Sequence, residues 1–230
     1  MRALIIRHDH VSHAGYVGAR LAERGFAPYE VAVVPEQRFH SPDVRVAFPR
    51  PTDFDVVVSL GAPWSVYDTE AIGTWIGDEL ALPAEAVRAD VPVLGICFGA
   101  QAPAAALGGT VEPAPRFELG WHAVSSHEPT LISAGPWYQW HFDRFTVPPG
   151  GRETARSPAG PQAYVLGRSL GVRFHPEVTP DTVAAWPDDG GDALARNLGL
   201  DVAELRRIEE GGRERADALV DAFLADVAKL

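Results

Sequence analysis

Cysteine and lysine are almost absent from this chain of 230 residues, where each occurs once, as Cys97 and Lys229. One cysteine cannot form an internal disulfide, which excludes a secreted scaffold held together by disulfide bonds. Basic residues are also few, 20 against 31 acidic ones, and the net charge is −11. This acidity argues against a nucleic-acid-binding surface and against a polybasic membrane patch.

Long apolar runs and glycine-rich nucleotide motifs are missing as well. No segment approaches the roughly 18 consecutive apolar residues of a membrane-spanning helix. The apolar run Ala3–Ile6 near the N-terminus is too short for the core of a signal peptide. Neither a GxxxxGK[ST] motif nor a dinucleotide fingerprint occurs, so nucleotide binding is not expected. We therefore expect a cytoplasmic protein that uses no cofactor.

The first half of the chain alternates short apolar runs with helical patterns. Apolar runs of this kind are typical of strands that are buried on both faces of a parallel sheet. The order predicts an α/β fold, a mostly parallel twisted sheet with helices on both faces. The predicted strands are Ala3–Ile6, Tyr29–Val34, Asp55–Leu60 and Val91–Ile96, and the predicted helices are Gly15–Arg24, Thr69–Asp90 (with a break at Pro83) and Ala100–Leu107.

The second half changes character. Residues 110–175 carry short stretches separated by proline and glycine turns, which predict antiparallel strands added to the sheet: Trp121–Ser125, Gln162–Leu166 and Gly171–Phe174. A short helix is predicted over Thr179–Trp186, with Thr179 as N-cap and Pro180 at the first position.

A longer helical pattern, interrupted at Gly211–Gly212, is predicted over Asp201–Leu230. Its apolar stripe either packs on the body of the protein or forms a dimer interface, and consists of Leu219, Val220, Phe223, Leu224 and Val227. Since no repeat or linker is visible, we predict one domain over residues 1–230.

The single cysteine lies in the segment LGICFGA, between a strand that ends at Ile96 and a helix that begins near Gly99. Gly95 and Gly99 flank Cys97 in the G-x-nucleophile-x-G pattern of a nucleophile elbow. Such an elbow would lift the thiol above the sheet and aim a helix N-terminus at it, which favours the thiolate. A lone cysteine is more often a small buried hydrophobe, so this pattern alone leaves both interpretations open.

A base for such a nucleophile occurs in the segment GVRFHPEV. His175 and Glu177 are two residues apart at the end of a strand, where a period of two would place them on one face unless Pro176 distorts it. Taken alone, the segment is equally compatible with an exposed turn. A carboxylate beside an imidazole fixes its tautomer and supports the imidazolium. Gly61 and Ala62, after another strand, are small enough for a backbone N–H to approach a ligand. They are candidates for half of an oxyanion hole or for an ordinary turn.

The segment RHDHVSH holds three histidines, His8, His10 and His13, beside Asp9. Histidine clusters of this kind bind metal, but a loop that follows a strand also exposes polar groups routinely. A metal site, a pocket-lining role and an ordinary loop all remain open, and no metal is expected in the site around Cys97.

Three motifs together, GICFGAQ, LGAPWSVYD and FHPEV, resemble those of the class I (triad-type) glutamine amidotransferases, whose fold is flavodoxin-like. The segments FELGWHAV and WHFDRFTVPPG are similar to the single-domain, GMP-synthase-like subgroup of that family. The resemblance runs over residues 55–186. It implies an enzyme in which Cys97 attacks the γ-amide carbon of glutamine and forms a thioester. His175 would then shuttle the proton to ammonia, and Glu177 would orient His175.

The resemblance also implies the rest of the site. The backbone N–H groups of Ala62 (or Gly61) and Phe98 would hold the oxyanion. The residues expected at the amino-acid end of the substrate are Gln101, His141 and Asp143.

Three departures from the family pattern bear on the substrate. Ala62 stands where relatives often have a second glycine, Phe142 replaces a glycine, and Ala102-Pro103 replaces longer side chains. The expected reaction is therefore hydrolysis of glutamine, with ammonia passed to a separate synthetase, or hydrolysis of a γ-glutamyl-linked small molecule without a partner. The alternatives are another cysteine-elbow enzyme of the DJ-1/protease type and a non-catalytic regulatory or binding protein on the same fold.

Overall fold

A computed structural model describes residues 1–186, 192–207 and 209–230 of the chain. The strands are β1 (Arg2–Arg7), β2 (Ala27–Ala32), β3 (Val56–Ser59), β4 (Val93–Ile96), β5 (Val111–Ser126), β6 (Gly135–Phe145), β7 (Arg152–Ser157), β8 (Gly160–Leu166) and β9 (Ser169–Val172). The helices are α1 (Gly15–Glu23), α2 (Thr69–Arg88), α3 (Phe98–Ala106), α4 (Pro180–Trp186), α5 (Asp192–Asn197), α6 (Val202–Leu205) and α7 (Gly212–Ala222), which a π-helical turn over Phe223–Ala228 continues. Short 3₁₀ turns lie at Glu36–Arg38 and Pro51–Asp53.

The strands form one sheet in the order β2-β1-β3-β4-β9-β8-β7-β5-β6. The first five run parallel, and β8, β7, β5 and β6 are joined by antiparallel pairings. The predicted α/β fold with added antiparallel strands is confirmed. The expected antiparallel strand Gly171–Phe174 corresponds to β9, which also has a parallel neighbour. A two-residue turn reverses the chain after β8, so that β9 runs antiparallel to β8 and parallel to β4.

Alternate residues of the parallel strands point to two separate apolar clusters. Ala3 and Ile5 pack with α1 and the C-terminal helix on one face, whereas Leu4 and Ile6 pack with α2 on the other. This alternation follows from the period of two in a strand and confirms that helices cover both faces. The apolar stripe of the C-terminal helix is buried in the first cluster, as expected for packing on the body of the protein: Leu219, Val220, Phe223, Leu224 and Val227.

Several helix and strand boundaries differ from those predicted, and so does the continuity of α2. The expected break at Pro83 is absent, since α2 continues through it, and the non-helical backbone lies at Ile72 (φ −133°, ψ 17°). Burial of Pro83 among the apolar residues of α2 offsets the free energy that is lost because a proline cannot donate a backbone hydrogen bond. β2 ends at Ala32 rather than Val34. Val33 and Val34 lie after the end of β2 and are buried. Their apolar side chains made them look like part of the strand in the sequence.

The two helices predicted near the C-terminus, over Thr179–Trp186 and Asp201–Leu230, are largely confirmed. The hydroxyl of Thr179 accepts a hydrogen bond from the Thr182 N–H at 3.3 Å, and α4 begins with Pro180 as expected. Gly211 has a positive φ of 74° and separates α6 from α7, which is the predicted interruption. The predicted helix also includes Ile208, which lies outside the described residues. None of the described helices combines the length and the apolar character needed to cross a membrane.

Candidate active site

The corner between β4 and α3 contains one residue, Cys97. Its backbone (φ 52°, ψ −109°) lies in a region that L-residues rarely adopt. The neighbouring glycines allow this corner, because a Cβ on Gly95 would lie 2.1 Å from the Gly99 oxygen. A Cβ on Gly99 would lie 2.0 Å from the Ser59 oxygen. The segment therefore has the geometry of a nucleophile elbow, with α3 pressed against the end of β3.

The thiol of Cys97 is largely buried and opens onto a cavity, with Sγ 3.9 Å from the carbonyl oxygen of Trp140. The first N–H of α3, on Phe98, faces the same corner of the fold. Within residues 1–186, 192–207 and 209–230, neither this N–H nor that of Ala62 is taken by a protein acceptor. Two backbone donors thus remain available beside the cysteine.

The segment that follows β9, which turns at Pro176 and Glu177, carries His175 and Glu177. The His175 N–H donates to the Tyr138 carbonyl at 2.8 Å, which fixes the backbone, and His175 Nδ1 lies 2.7 Å from Glu177 Oε1. The backbone of Glu177 is held in turn, because its carbonyl accepts the Tyr16 N–H at the start of α1 at 3.0 Å. Both side chains are buried, so the pair is rigid and shielded from water.

The charge of His175 depends on its neighbours. Burial by itself lowers the pKa of an imidazole, but the charge of Glu177 and then the charge and hydrogen bond of Cys97 outweigh it and raise the pKa to about 10. The ring of Trp186 stands edge-on against His175, with 4.9 Å between ring centroids. His175 is therefore held as a cation between an acidic group and the thiol at neutral pH.

The loop after β3 lies against both reactive side chains. A Cβ on Gly61 would lie 3.0 Å from His175 Cε1 and 3.6 Å from Cys97 Cβ, so a larger residue there would press on the imidazole of His175. The Leu60 carbonyl accepts the Gly99 N–H at 3.1 Å, which ties this loop to the elbow. The loop, the elbow and the base thus form one packed unit.

A cavity of about 370 Å³ opens above this unit, at the carboxyl ends of the parallel strands. Its wall comes from the loops after β1 and β3, the elbow, β6, His175 and Trp186. Every residue predicted for the site lines this cavity except Glu177, which lies behind His175. Ligands of open α/β sheets bind at this edge.

The carboxylate of Asp143 lies in the cavity wall with partners of its own. It accepts hydrogen bonds from the hydroxyls of Ser65 and Tyr67, the latter at 2.6 Å. Burial, together with the bond to Asp143, raises the pKa of Tyr67 above its ordinary value. A carboxylate has about four acceptor positions, so Asp143 retains capacity for a further donor.

His141 has a different environment from His175, although it lines the same cavity. Its Nδ1 accepts a hydrogen bond from Arg173 Nη2 at 3.0 Å, and its Nε2 lies 3.1 Å from Glu118 Oε2. Burial is the main cause that lowers the pKa of His141 to about 4, and Arg173 lowers it further against the opposing effect of Glu118. His141 is therefore neutral at neutral pH, with both ring nitrogens engaged inside the protein.

The model of the family "Glutamine amidotransferase class-I" matches residues 17–186, more than half of the chain. The chain belongs to the class I glutamine amidotransferase family. The predicted family and the predicted kind of enzyme are confirmed.

Curated relatives of this amidotransferase include two proteins described as GMP synthase [glutamine-hydrolyzing]. The one from Nitrobacter hamburgensis is 36% identical over 163 residues, which cover 65% of this chain and 27% of the relative. The one from Thermus thermophilus is 38% identical over 133 residues, which cover 53% and 24%. The chain thus spans about a quarter of the length of the curated relatives it matches.

Solved structures agree with the fold of the amidotransferase over its whole length. A glutamine amidotransferase from Thermotoga maritima superposes with a TM-score of 0.83 at 23% identity, covering 100% of this chain and 99% of that one. A glutamine amidotransferase from Methylobacillus flagellatus superposes with a TM-score of 0.81 at 23% identity, covering 98% and 95%. At this identity the likeness establishes the architecture.

Two of the three departures from the family pattern line the cavity. Phe142 lines its rim with 40% of its surface exposed and packs on Phe117, with 5.7 Å between ring centroids. Ala62 lines it beside Gly61. The third departure, Ala102-Pro103, is buried in α3 and is not among the residues that line the cavity.

The histidines after β1 have separate surroundings. His8 is buried and Asp9 lines the cavity, where its carboxylate accepts hydrogen bonds from the Val11 and Ser12 N–H groups. In the described part of the chain, no group of three or more His, Cys, Asp or Glu residues is arranged to hold a metal ion.

Sequence reasoning missed three buried charged residues beside the site, namely Glu118, Arg173 and Glu79. A signal existed for two of them, because Glu118 and Arg173 interrupt otherwise apolar or aromatic segments, FELGW and GVRFH. A charged residue in such a segment is buried only with a partner, but the sequence did not identify that partner.

Proposed function

We propose that this chain hydrolyses a γ-glutamyl amide bond through a thioester on Cys97. The observation that carries the proposal is the buried His175–Glu177 pair, 2.7 Å apart, against an elbow cysteine at one cavity. A nucleophile, a base and a group that orients the base are the three parts that such catalysis requires.

In the first step the Cys97 thiolate attacks the amide carbon, and the electron pair of the C=O bond moves to oxygen. The N–H groups of Ala62 and Phe98 stabilise that oxyanion, and their lack of protein acceptors supports this role. Gly61 is the alternative donor. The helix N-terminus of α3 adds a favourable electrostatic contribution at the same point.

The C–N bond then breaks. The His175 imidazolium donates its proton to the leaving nitrogen, ammonia or an amine departs, and the thioester remains on Cys97. A water molecule then gives a proton to His175 as it attacks the thioester, and the thiolate leaves as glutamate forms. Glu177 orients the ring and stabilises its positive form during both transfers.

The amino-acid end of the substrate is proposed to contact Gln101, His141 and Asp143, which line the cavity. Asp143 suits an α-ammonium group, because a carboxylate that accepts from Ser65 and Tyr67 still has acceptor capacity. His141 would contribute a ring edge, since both of its nitrogens are engaged by Arg173 and Glu118.

The substrate is proposed to be glutamine, in agreement with relatives described as glutamine-hydrolysing. In that case residues 1–230 act as one glutaminase domain in the cytoplasm, and ammonia passes to a separate synthetase. A second candidate is a γ-glutamyl-linked small molecule, hydrolysed without a partner. The exposed Phe142 at the rim favours it, because an aromatic side chain there would contact an amine substituent.

The test compares release of ammonia, amine and glutamate from glutamine and from γ-glutamyl amines, with Cys97→Ala as the inactive control. We expect release by the native chain and none by Cys97→Ala. Release from γ-glutamyl amines alone would select the stand-alone hydrolase. No release from any of these substrates, with no labelling of Cys97 by a glutamine-mimicking electrophile, would overturn the proposal.

A further inference from the structure

A buried histidine that the proposed mechanism leaves unused lies directly behind the loop after β3. His8 follows β1 at the same sheet edge as Cys97 and is fully buried. Its ring packs against two aromatic rings, with centroids 4.7 Å from Phe98 and 5.8 Å from Trp75. A polar ring in such surroundings requires polar partners, because an unpaired polar group is costly there.

Both nitrogens of His8 point at polar atoms. Nδ1 lies 3.1 Å from the Gly61 carbonyl oxygen, and since a carbonyl only accepts, Nδ1 is the donor. Nε2 lies 3.3 Å from Oε1 of Glu79, a buried residue of α2 whose Oε1 also accepts from the Ser59 hydroxyl at 3.1 Å. Nδ1 thus donates to Gly61, while Glu79 lies against the other side of the ring.

The Gly61 carbonyl shares a peptide plane with the N–H of Ala62. In a trans peptide these two groups point in opposite directions, so a carbonyl held toward His8 turns the Ala62 N–H away from His8. Ala62 lines the cavity, and its N–H has no protein acceptor among the described residues. We infer that His8, backed by Glu79, is a positioning residue that holds this peptide with the Ala62 N–H presented to the substrate oxygen.

This inference rests on the proposed function and refines it, since it selects Ala62 over Gly61 as the oxyanion donor. The loop needs an external restraint because Gly61 is conformationally permissive and its close contact with His175 leaves little room for a side chain. A flip of the Gly61–Ala62 peptide would point a carbonyl oxygen at the oxyanion instead of an N–H. The Gly99 N–H holds the Leu60 carbonyl, and the His8 ring holds the carbonyl of the next residue, Gly61.

The test compares His8→Leu, which removes both polar contacts, with His8→Asn, whose amide nitrogen occupies nearly the position of Nδ1. The oxyanion exists only in the transition state, so loss of its donor lowers kcat rather than substrate affinity. We expect His8→Leu to lower kcat about 10- to 100-fold, up to the effect of losing one oxyanion donor, with KM changed less than about threefold. His8→Asn is expected to recover most of this loss.

Two controls separate positioning from a loss of fold. Alkylation of Cys97 by iodoacetamide forms no oxyanion, so its rate is expected to be the same in His8→Leu and the native chain. Leu82 belongs to the same apolar cluster as Trp75 and Phe98 and lies in α2 with Glu79. Leu82→Ala should therefore reduce the stability of the fold and leave kcat unchanged. If Leu82→Ala lowers kcat as much as His8→Leu does, the inference is overturned.

The outcomes also distinguish this inference from the proposed function. If the native chain releases nothing from any γ-glutamyl substrate, the proposed function fails. If the native chain is active and His8→Leu keeps its kcat, or changes KM alone, the positioning role fails. Should His8→Leu not fold, His8→Asn is compared with His8→Gln, whose amide points toward Glu79 instead. Equal kcat values for these two would overturn the role of the Gly61 contact.

Discussion

His175 and His141 line the same cavity, both are buried, and each has a glutamate beside it, yet their pKa values move in opposite directions. Burial lowers the pKa of both. At His175 the charges of Glu177 and Cys97 overcome it, whereas at His141 the cation of Arg173 adds to it. The comparison shows that the neighbouring charges, two anionic groups at His175 and an opposing cation at His141, decide the direction in which the pKa of a buried imidazole moves.

This difference suits two different tasks. A ring that carries a proton beside a nucleophile is equipped to transfer it, which is the role proposed for His175. A ring held neutral between a donor and a carboxylate is part of a buried scaffold. Glu118, which also accepts from Ser157 at 3.0 Å and Gln162 at 2.8 Å, anchors that scaffold. The predictions below test whether the two histidines differ in this way.

The largest expected effect is that of His175→Asn. Loss of the proton carrier is expected to lower kcat about 10³-fold, in the range measured for general acid–base residues. The matched change His141→Asn keeps a polar side chain at the scaffold and is expected to cost less than about tenfold, since no proton moves through it. Steady-state kinetics on both variants checks the ordering, and equal losses would contradict it.

Glu177→Gln should have the next largest effect, about 10²-fold on kcat, because it removes the charge that supports the imidazolium. Glu177 raises the pKa of His175, so its loss lowers that pKa. The alkaline limb of the kcat/KM profile, where His175 loses its proton, should therefore move to lower pH. An unchanged alkaline limb in this variant would mean that Glu177 does not set the charge of the base.

Arg173→Met tests the other histidine. It leaves Glu118 without its buried cation, which is expected to reduce the free energy of unfolding by about 3 kcal/mol. The pKa of His141 should rise, because Arg173 lowers it. Urea unfolding and an NMR titration of His141 measure the two effects. The exposed Arg156, paired with Glu153, provides a control whose change to Met should cost less than about 1 kcal/mol. A His141 pKa that stays near 4 in Arg173→Met would contradict the assignment.

The sequence predicted the local parts of this site well. The spacing of Gly95, Cys97 and Gly99 implies an elbow because close contacts at both glycines exclude a Cβ. His175 and Glu177 form their hydrogen bond within one short segment of the chain. Local patterns of this kind do not depend on how distant segments meet.

The parts that the sequence did not predict depend on distant segments. Arg173 and His141 are 32 residues apart, and His8 and Gly61 are 53 apart. These residues lie on or directly after strands whose neighbours only the sheet order determines. The parallel pairing of β9 with β4 was missed for the same reason, since β4 is far from β9 in the sequence. The break predicted at Pro83 is absent because the burial of α2 outweighs the low intrinsic helix propensity of proline.

The central claim is that Cys97 forms a covalent glutamyl thioester with His175 as its proton carrier. Its most direct test is mass spectrometry of the native chain after acid quenching during turnover of glutamine or a γ-glutamyl amine. The account predicts one glutamyl group attached to the peptide that contains Cys97, and none in Cys97→Ala. Continued turnover by Cys97→Ala, without any adduct on the native chain, would contradict it.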